Sequence, residues 1–297
     1  MAFRTVSLFR TTARIIALHT DPCIRRAIPE RSGRDIMTEK QEALRPGERV
    51  AESIWGEGYG GLLKGLIDSY DPGLTEHIVS FFGETYARSA LDTKTRQLCT
   101  LCALASMGLA PEMTVYFRGS LNLGWSQQDI REALLITIFT AGIPRTINAF
   151  KAFNETLTGL KIAPETDPYH AHEGKVEETG LHRGRALFGD AFTGLVDGVR
   201  IFHPASADFL VASIFGRVFA RPRLDDRTRA LILVASCTVT GNARILRALL
   251  PAAERIGATR GEMEEVIFQM HGYAGWPACM DAIGVYCEVF PRRGTGK

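Results

Sequence analysis

The constraint that most limits how this chain can fold is internal: it carries one pattern twice, in register. Phe82-Gly83 recurs as Phe215-Gly216, Leu91-Asp92 as Leu224-Asp225, Thr95 and Arg96 as Thr228 and Arg229, Gly108 as Gly241, Gly124 as Gly257, and Ala141-Gly142 with Pro144 as Ala274-Gly275 with Pro277. Every pair lies 133 residues apart. One offset shared by so many helix-stop glycines and helix-start residues means two copies of a single folding unit. A residue whose chemistry both copies need should therefore appear in both.

At 297 residues the chain has room for two ordinary domains. The formal net charge of +2 is uneven, because residues 1–36 hold seven Arg against Asp21, Glu30 and Asp35. The rest of the chain is slightly acidic, which gives no electrostatic footprint for nucleic acid. No apolar run is long enough to span a bilayer, so no membrane partner is expected. Six scattered cysteines (Cys23, Cys99, Cys102, Cys237, Cys279, Cys287) are too few for a disulfide framework and suit a reducing compartment. Arg4, Arg10 and Arg14, with several Ser and Thr and no acid in the first 20 residues, have the composition of a mitochondrial transit peptide. Phe3 and Leu18 interrupt the basic face, and Met37 opens a run typical of an ordinary N-terminus. Two readings follow for residues 1–36: a transit peptide with a matrix location, or a mistaken-start extension on a cytoplasmic protein.

Residues 91–107 begin at an Asp92-Thr93 cap, continue as an apolar helix and stop at Gly108; residues 224–240 repeat the plan. Pro111-Glu112 opens the next helix, which ends at Gly124, and Ser126 to Asp129 cap a very apolar one through Phe139. Almost nothing alternates with period two, so both copies read as all-α. The expected division is a first domain at 50–160, a polar linker at 161–180 and a second domain at 181–290. Residues 132–139 and 228–239 are apolar nearly all round, which a unit of about 100 residues cannot bury alone. The copies are therefore expected to pack about a pseudo-twofold, within a homo-oligomer.

The run Arg88 to Arg96, Pro111-Glu112, Arg118-Gly119-Ser120-Leu121-Asn122 with Gly124, Asp129 to Leu134, and Ala141-Gly142-Ile143-Pro144 before Asn148-Ala149 resembles the carboxymuconolactone decarboxylase family. So do Leu187 to Asp190, Arg221 to Arg229 and Tyr273 to Pro277 in the second copy. The resemblance implies two tandem alkylhydroperoxidase-D-like helical domains, a trimer of two-domain chains, and cofactor-free loss of a carboxylate from a small unsaturated lactone or related acid in aromatic catabolism. Such a reaction needs cations for the substrate carboxylates, a donor at the lactone carbonyl and an acid to return a proton to carbon. Neither a cofactor nor a metal is implied. The peroxidase branch places a Cys-x-x-Cys and a His where this chain has Leu109, Glu112 and Tyr116, or Asn242, Ile245 and Leu249. Cys99 and Cys102 form that motif one helix too early, inside an apolar run, and read as core.

The catalytic candidates are Glu112, Tyr116 and His271. Glu112 opens a helix and Tyr116 lies four residues on, on the same face; the family commonly has a His where Tyr116 stands. Arg118 and Arg145 are the candidates for gripping carboxylates, with Asn122 and Tyr273 as further substrate-binding residues. Arg96 and Arg229 occur in both copies and are assigned to structure, each pairing with an acid. His271 and Tyr273 have no counterpart in Ile138 and Thr140, and Glu112, Tyr116 and Arg118 none in Ile245, Leu249 and Pro251. One composite pocket drawing on both copies is expected, the second having lost its function. The rival reading is a non-catalytic small-acid-binding or assembly protein; a thiol peroxidase ranks last.

Overall fold

A computed structural model describes residues 45–165 and 175–291. The arginine-rich extension and much of the polar connection lie outside the described residues. The first copy comprises α1 (Pro46–Trp55), α2 (Tyr59–Asp68), α3 (Pro72–Phe81) running into a π-helical segment (Phe82–Tyr86), α4 (Thr93–Met107), α5 (Ala110–Asn122), α6 (Gln127–Ala141) and α7 (Ile143–Gly159). The second comprises α8 (Val176–Phe188), α9 (Ala191–Phe202), α10 (Pro204–Phe209) with its own π-helical segment (Leu210–Val218), α11 (Asp226–Thr240), α12 (Ala243–Arg255), α13 (Arg260–Gln269) and α14 (His271–Val289). The fold is all-α, and no strand occurs among the described residues. No helix among them is long and apolar enough to cross a membrane.

Matched caps explain why both copies fold alike. Asp92 accepts the Thr95 amide at 2.8 Å, and Asp225 accepts that of Thr228 at 2.6 Å, starting α4 and α11. Ser126 with Asp129, and Thr259 with Glu262, form capping boxes at α6 and α13. Close approach is matched too. A Cβ on Gly47 would sit 1.8 Å from the Val79 carbonyl oxygen, and one on Gly180 would sit 2.2 Å from that of Val211. At this crossing of the first helix with the end of the helical hairpin, only glycine lets the backbones meet. Gly180 falls in the stretch expected as linker. The helix there starts earlier, at Val176, with Glu177 and Glu178 in its first turn, where the helix dipole favours acids.

The apolar helices find their cover in each other. α4 and α11 are buried over nearly their whole circumference and pack side by side at the centre. One continuous core runs from Leu91 to Phe290 through both copies. A smaller cluster of Ala51, Ile54, Trp55, Phe82 and Tyr86 belongs to the first copy.

Two reciprocal ion pairs register the copies. Arg96 in α4, fully buried, donates to Glu265 of α13 at 2.8 Å; Arg229 in α11 donates to Glu132 of α6. Arg96 and Arg229 are repeat equivalents, as are Glu132 and Glu265, so each copy holds the other by the same contact. Further bonds satisfy the remaining lone pairs. Glu132 accepts the backbone amides of Arg223 and Leu224, both at 3.0 Å, while Glu265 also accepts Arg88 Nε at 2.7 Å. Arg96 additionally donates to the carbonyls of Leu91 and Arg88 and to Gln269 Oε1. Removing one partner of such a pair strands a charge in the interior, which costs about 3–5 kcal/mol, whereas replacing both by apolar groups is far less harmful. Glu265→Leu is therefore expected to lower stability by about that amount, and Arg96→Met added to it is expected to recover most of the loss, as read by chemical denaturation of the two variants.

Candidate active site

The composite site assembles where the start of α14 meets α5 and the first π-helical segment. Tyr116 projects from the middle of α5, Tyr86 from the end of the π-helical segment and Tyr273 from the second copy. The Tyr116 hydroxyl donates to that of Tyr273 at 3.0 Å, and the hydroxyls of Tyr273 and Tyr86 are 2.6 Å apart. Tyr86 continues to Thr100 Oγ1 at 2.7 Å, Thr100 to Gln269 Nε2 at 3.4 Å, and Gln269 to Arg96. An unbroken chain of hydroxyls and an amide thus links the three phenols to the ion pair that registers the copies. Burial pushes the phenol of Tyr86 up to about 12 and those of Tyr116 and Tyr273 well above their ordinary value. All three stay protonated across the physiological range.

His271 opens α14 two residues before Tyr273. Its Nδ1 lies 2.6 Å from the Phe268 carbonyl oxygen. A carbonyl can only accept, so Nδ1 carries the hydrogen and a neutral ring keeps Nε2 as a free acceptor. The ring stacks on Trp276 at 4.6 Å and meets the edge of Phe81 at 5.2 Å. Phe81 in turn packs on Tyr273 and Tyr86. Gly275, at φ 80° and ψ 166°, breaks α14 just after these residues, so His271 and Tyr273 occupy a short separate turn. Its counterpart Gly142 makes the same break between α6 and α7.

The other candidates are placed differently. Glu112 is exposed in the first turn of α5 and forms no hydrogen bond or ion pair among the described residues. Arg118 is half-buried beside α2, and its charge partly offsets the burial that raises the Tyr59 phenol to about 12. Asn122 donates its amide to the Ile54 carbonyl at 3.1 Å, tying α5 to α1. Arg145 lays its stem over Gly108 and donates to the Ser106 carbonyl at 2.6 Å, a cation closing the C-terminal end of α4. The geometry thus brings Tyr116, Tyr273 and His271 into one cluster, while Asn122 and Arg145 make scaffold contacts. No three His, Cys, Asp or Glu side chains converge as metal ligands among the described residues.

Tyr86, Thr100, Gln269 and Trp55 also build the site, and reading motifs overlooked them. Trp55 donates to the Val115 carbonyl at 3.0 Å and meets Tyr116 edge-on at 5.8 Å. A signal was present in the repeat itself. At the 133-residue offset Trp55, Tyr59, Tyr86 and Tyr116 answer to Phe188, Phe192, Phe219 and Leu249, and Thr100 and Gln269 answer to Leu233 and Ile136. Polar-tipped residues gather at one of two equivalent places, five from the first copy and Gln269 from the second, where the other place has only hydrocarbon.

The thiols of the Cys-x-x-Cys are buried core groups. Cys99 and Cys102 have no exposed surface, and burial pushes both well above the usual thiol range. Cys102 donates to the Ala133 carbonyl at 3.5 Å. The phenols set a pH signature. A free phenol ionises near 10, whereas in the folded chain burial raises Tyr86 to about 12 and Tyr116 and Tyr273 well above their ordinary value, so the folded state holds protons that the unfolded state releases. Their effect on stability is flat below pH 10 and turns against folding as pH rises from 10 towards 12. Alkaline titration at 295 nm is expected to leave these three tyrosines silent at the pH where a free phenol ionises. Tyr86→Phe is expected to lessen the alkaline fall in melting temperature.

Comparison with known proteins agrees with the two-copy arrangement. Over 126 residues, 42% of this chain and 94% of the relative, the sequence is 25% identical to 4-carboxymuconolactone decarboxylase of Acinetobacter baylyi. Over 78 residues, 26% of this chain and 58% of the relative, it is 37% identical to an uncharacterised 15.0 kDa protein encoded in the nqo9-nqo10 intergenic region of Paracoccus denitrificans. The sequence model of one family matches twice, at residues 72–155 and 204–286, once in each copy. With both helical units matched, the chain belongs to the carboxymuconolactone decarboxylase family, as a tandem two-domain member.

Proposed function

We propose that this protein is a carboxy-lyase acting without a cofactor on a small carboxylated unsaturated lactone or related acid, of the kind met in aromatic catabolism. The observation that carries the reading is the phenol cluster of buried Tyr86 and half-buried Tyr116 and Tyr273, set beside His271 and built from both copies. In decarboxylation the bond from carbon to the carboxyl group breaks, and its electron pair passes through the unsaturated system towards the lactone carbonyl. A proton is then returned to carbon. Neutral phenols suit two of these steps, since they donate hydrogen bonds to the oxygen where charge accumulates and can supply the proton. His271 offers Nε2 on the same surface, and Glu112 serves as base or orienting group at the mouth. Arg118 holds a carboxylate of the substrate, with Arg145 and Asn122 as further contacts once the substrate displaces their present ones.

A homo-oligomer, most simply a trimer of these chains, belongs to the same proposal. α7 exposes Ile143 and Ile147, and α14 exposes Trp276 and Met280 at the equivalent positions, with Ile283 one turn further on. Two apolar stripes in the same register on equivalent helices are what a ring of like units would cover. Ile147→Glu with Met280→Glu is expected to shift the mass in light scattering from oligomer to single chains; an unchanged mass would remove these stripes from the interface.

The decisive assay measures CO2 release and the ultraviolet change on carboxylated unsaturated lactones. Glu112→Ala is expected to abolish turnover. Tyr116→Phe or Tyr273→Phe is expected to lower kcat by about a hundredfold or more, the usual cost of one preorganised donor. Substrate binding with no turnover by the unmodified protein would instead establish a non-catalytic acid-binding protein, and peroxide consumption lost with Cys102→Ser would establish a thiol peroxidase.

A further inference from the structure

The repeat equivalent of this site in the second copy is open, and its lining has changed character. A cavity of about 320 Å³ lies between α9, the second π-helical segment, the start of α12 and the end of α6. Ile245 stands where the phenol site has Glu112, Ile138 where it has His271, and Phe192 where it has Tyr59. In the first copy Phe81 occupies the corresponding space, lying so close to Gly272 that a Cβ there would sit 2.4 Å from its ring. At the second site Ile214 replaces Phe81 and, from α6, Phe139 replaces Gly272, and a chamber remains.

One lining group is charged. Arg244 is exposed at the start of α12 and has no hydrogen-bond or ion-pair partner among the described residues. Its equivalent in the first copy is Pro111, so the cation is particular to this copy. The guanidinium rests against α9, where a Cβ on Gly198 would come within 3.1 Å of its Nη2. An unpaired guanidinium beside hydrocarbon walls recognises an anion at one end of an apolar body. The volume lies at the small end of ligand-binding cavities, and such cavities combine apolar walls with a few polar groups that fix orientation.

We propose that this cavity, built mainly by the second copy and closed by the end of α6, is a binding site for a small apolar monocarboxylic acid, its chain or ring among Ile138, Phe139, Phe192, Ile214 and Ile245 and its carboxylate on Arg244. The site is separate from the phenol cluster and does not depend on the lyase reading. It converts the duplication from one working pocket and one relic into two pockets of opposite chemistry.

Calorimetric titration of the full chain with decanoate, below its micelle-forming concentration, tests the proposal against decan-1-ol. One decanoate is expected to bind per chain, more tightly than the alcohol. Arg244→Gln is expected to weaken decanoate about tenfold or more and to leave decan-1-ol unchanged, because only the acid loses a charge-assisted contact. Ile214→Trp, which fills the chamber as Phe81 does in the first copy, is expected to abolish binding of both, with Leu195→Phe as a second filling variant should the first fail to fold. Tyr116→Phe is expected to leave decanoate binding intact. Absence of decanoate binding to the unmodified chain, or binding that survives both filling variants or is indifferent to Arg244→Gln, would overturn the assignment.

Discussion

The structure depends on a pair of buried ion pairs that are the same contact made twice. Arg96 reaches Glu265 and Arg229 reaches Glu132 across the junction of the copies, each carboxylate also taking backbone amides or a second arginine. Burying charges is costly, and a pair of this kind adds little stability over a well-packed hydrocarbon core. Its effect is on arrangement: any sliding or rotation of one copy against the other strands four charges in the interior. The long apolar faces of α4 and α11 are non-directional and would tolerate several packings. The ion pairs select one of them, and that one brings His271 and Tyr273 to α5.

This arrangement lets a duplicated scaffold diverge without losing its fold. Caps, close-approach glycines and the Arg–Glu pairs occur in both copies because both need them to fold. Pocket positions are under no such shared demand. In the first copy they hold Trp55, Tyr59, Tyr86 and Tyr116, and in the second Phe188, Phe192, Phe219 and Leu249. At Tyr59 and Phe192, and at Tyr86 and Phe219, phenol and phenyl fill nearly the same volume and differ only by the hydroxyl, so packing is kept while polarity differs. The hydroxyls of Tyr86, Tyr116 and Tyr273 are satisfied by one another and by Thr100, as buried polar groups require.

Much of the fold was legible in the chain. The constant offset marked two units, the cap residues Asp92, Asp225 and Ser126 marked helix starts, and all-round apolarity at 228–239 marked a helix covered by another copy. The site was legible in part. Tyr116, His271 and Tyr273 stood out as residues without counterparts, and they meet. Asn122 and Arg145 were read from residue type and position beside helix ends, but the same features suit a cap, and their hydrogen bonds go to Ile54 and Ser106. Tyr86 was missed because an aromatic residue in an apolar helix is ordinarily core, and only its hydroxyl's contact with Tyr273 makes it more than that.

The sequence alone therefore determined the duplication, the helical class, the caps and the identity of the residues that differ between copies, since all of these are local or periodic properties. Tertiary structure decided which differences matter. Tyr116 and Tyr273 are 157 residues apart in the chain, and Ile138 and Ile245 are 107 apart. Nothing in the local pattern brings either pair together. Their meeting follows from the packing of α4 on α11 and the crossed Arg–Glu contacts, which are long-range interactions. The same packing sets Phe81 against Gly272 beside the phenols and leaves a chamber open at the equivalent place, a difference set by side-chain volume at equivalent positions and visible only once the copies are in place.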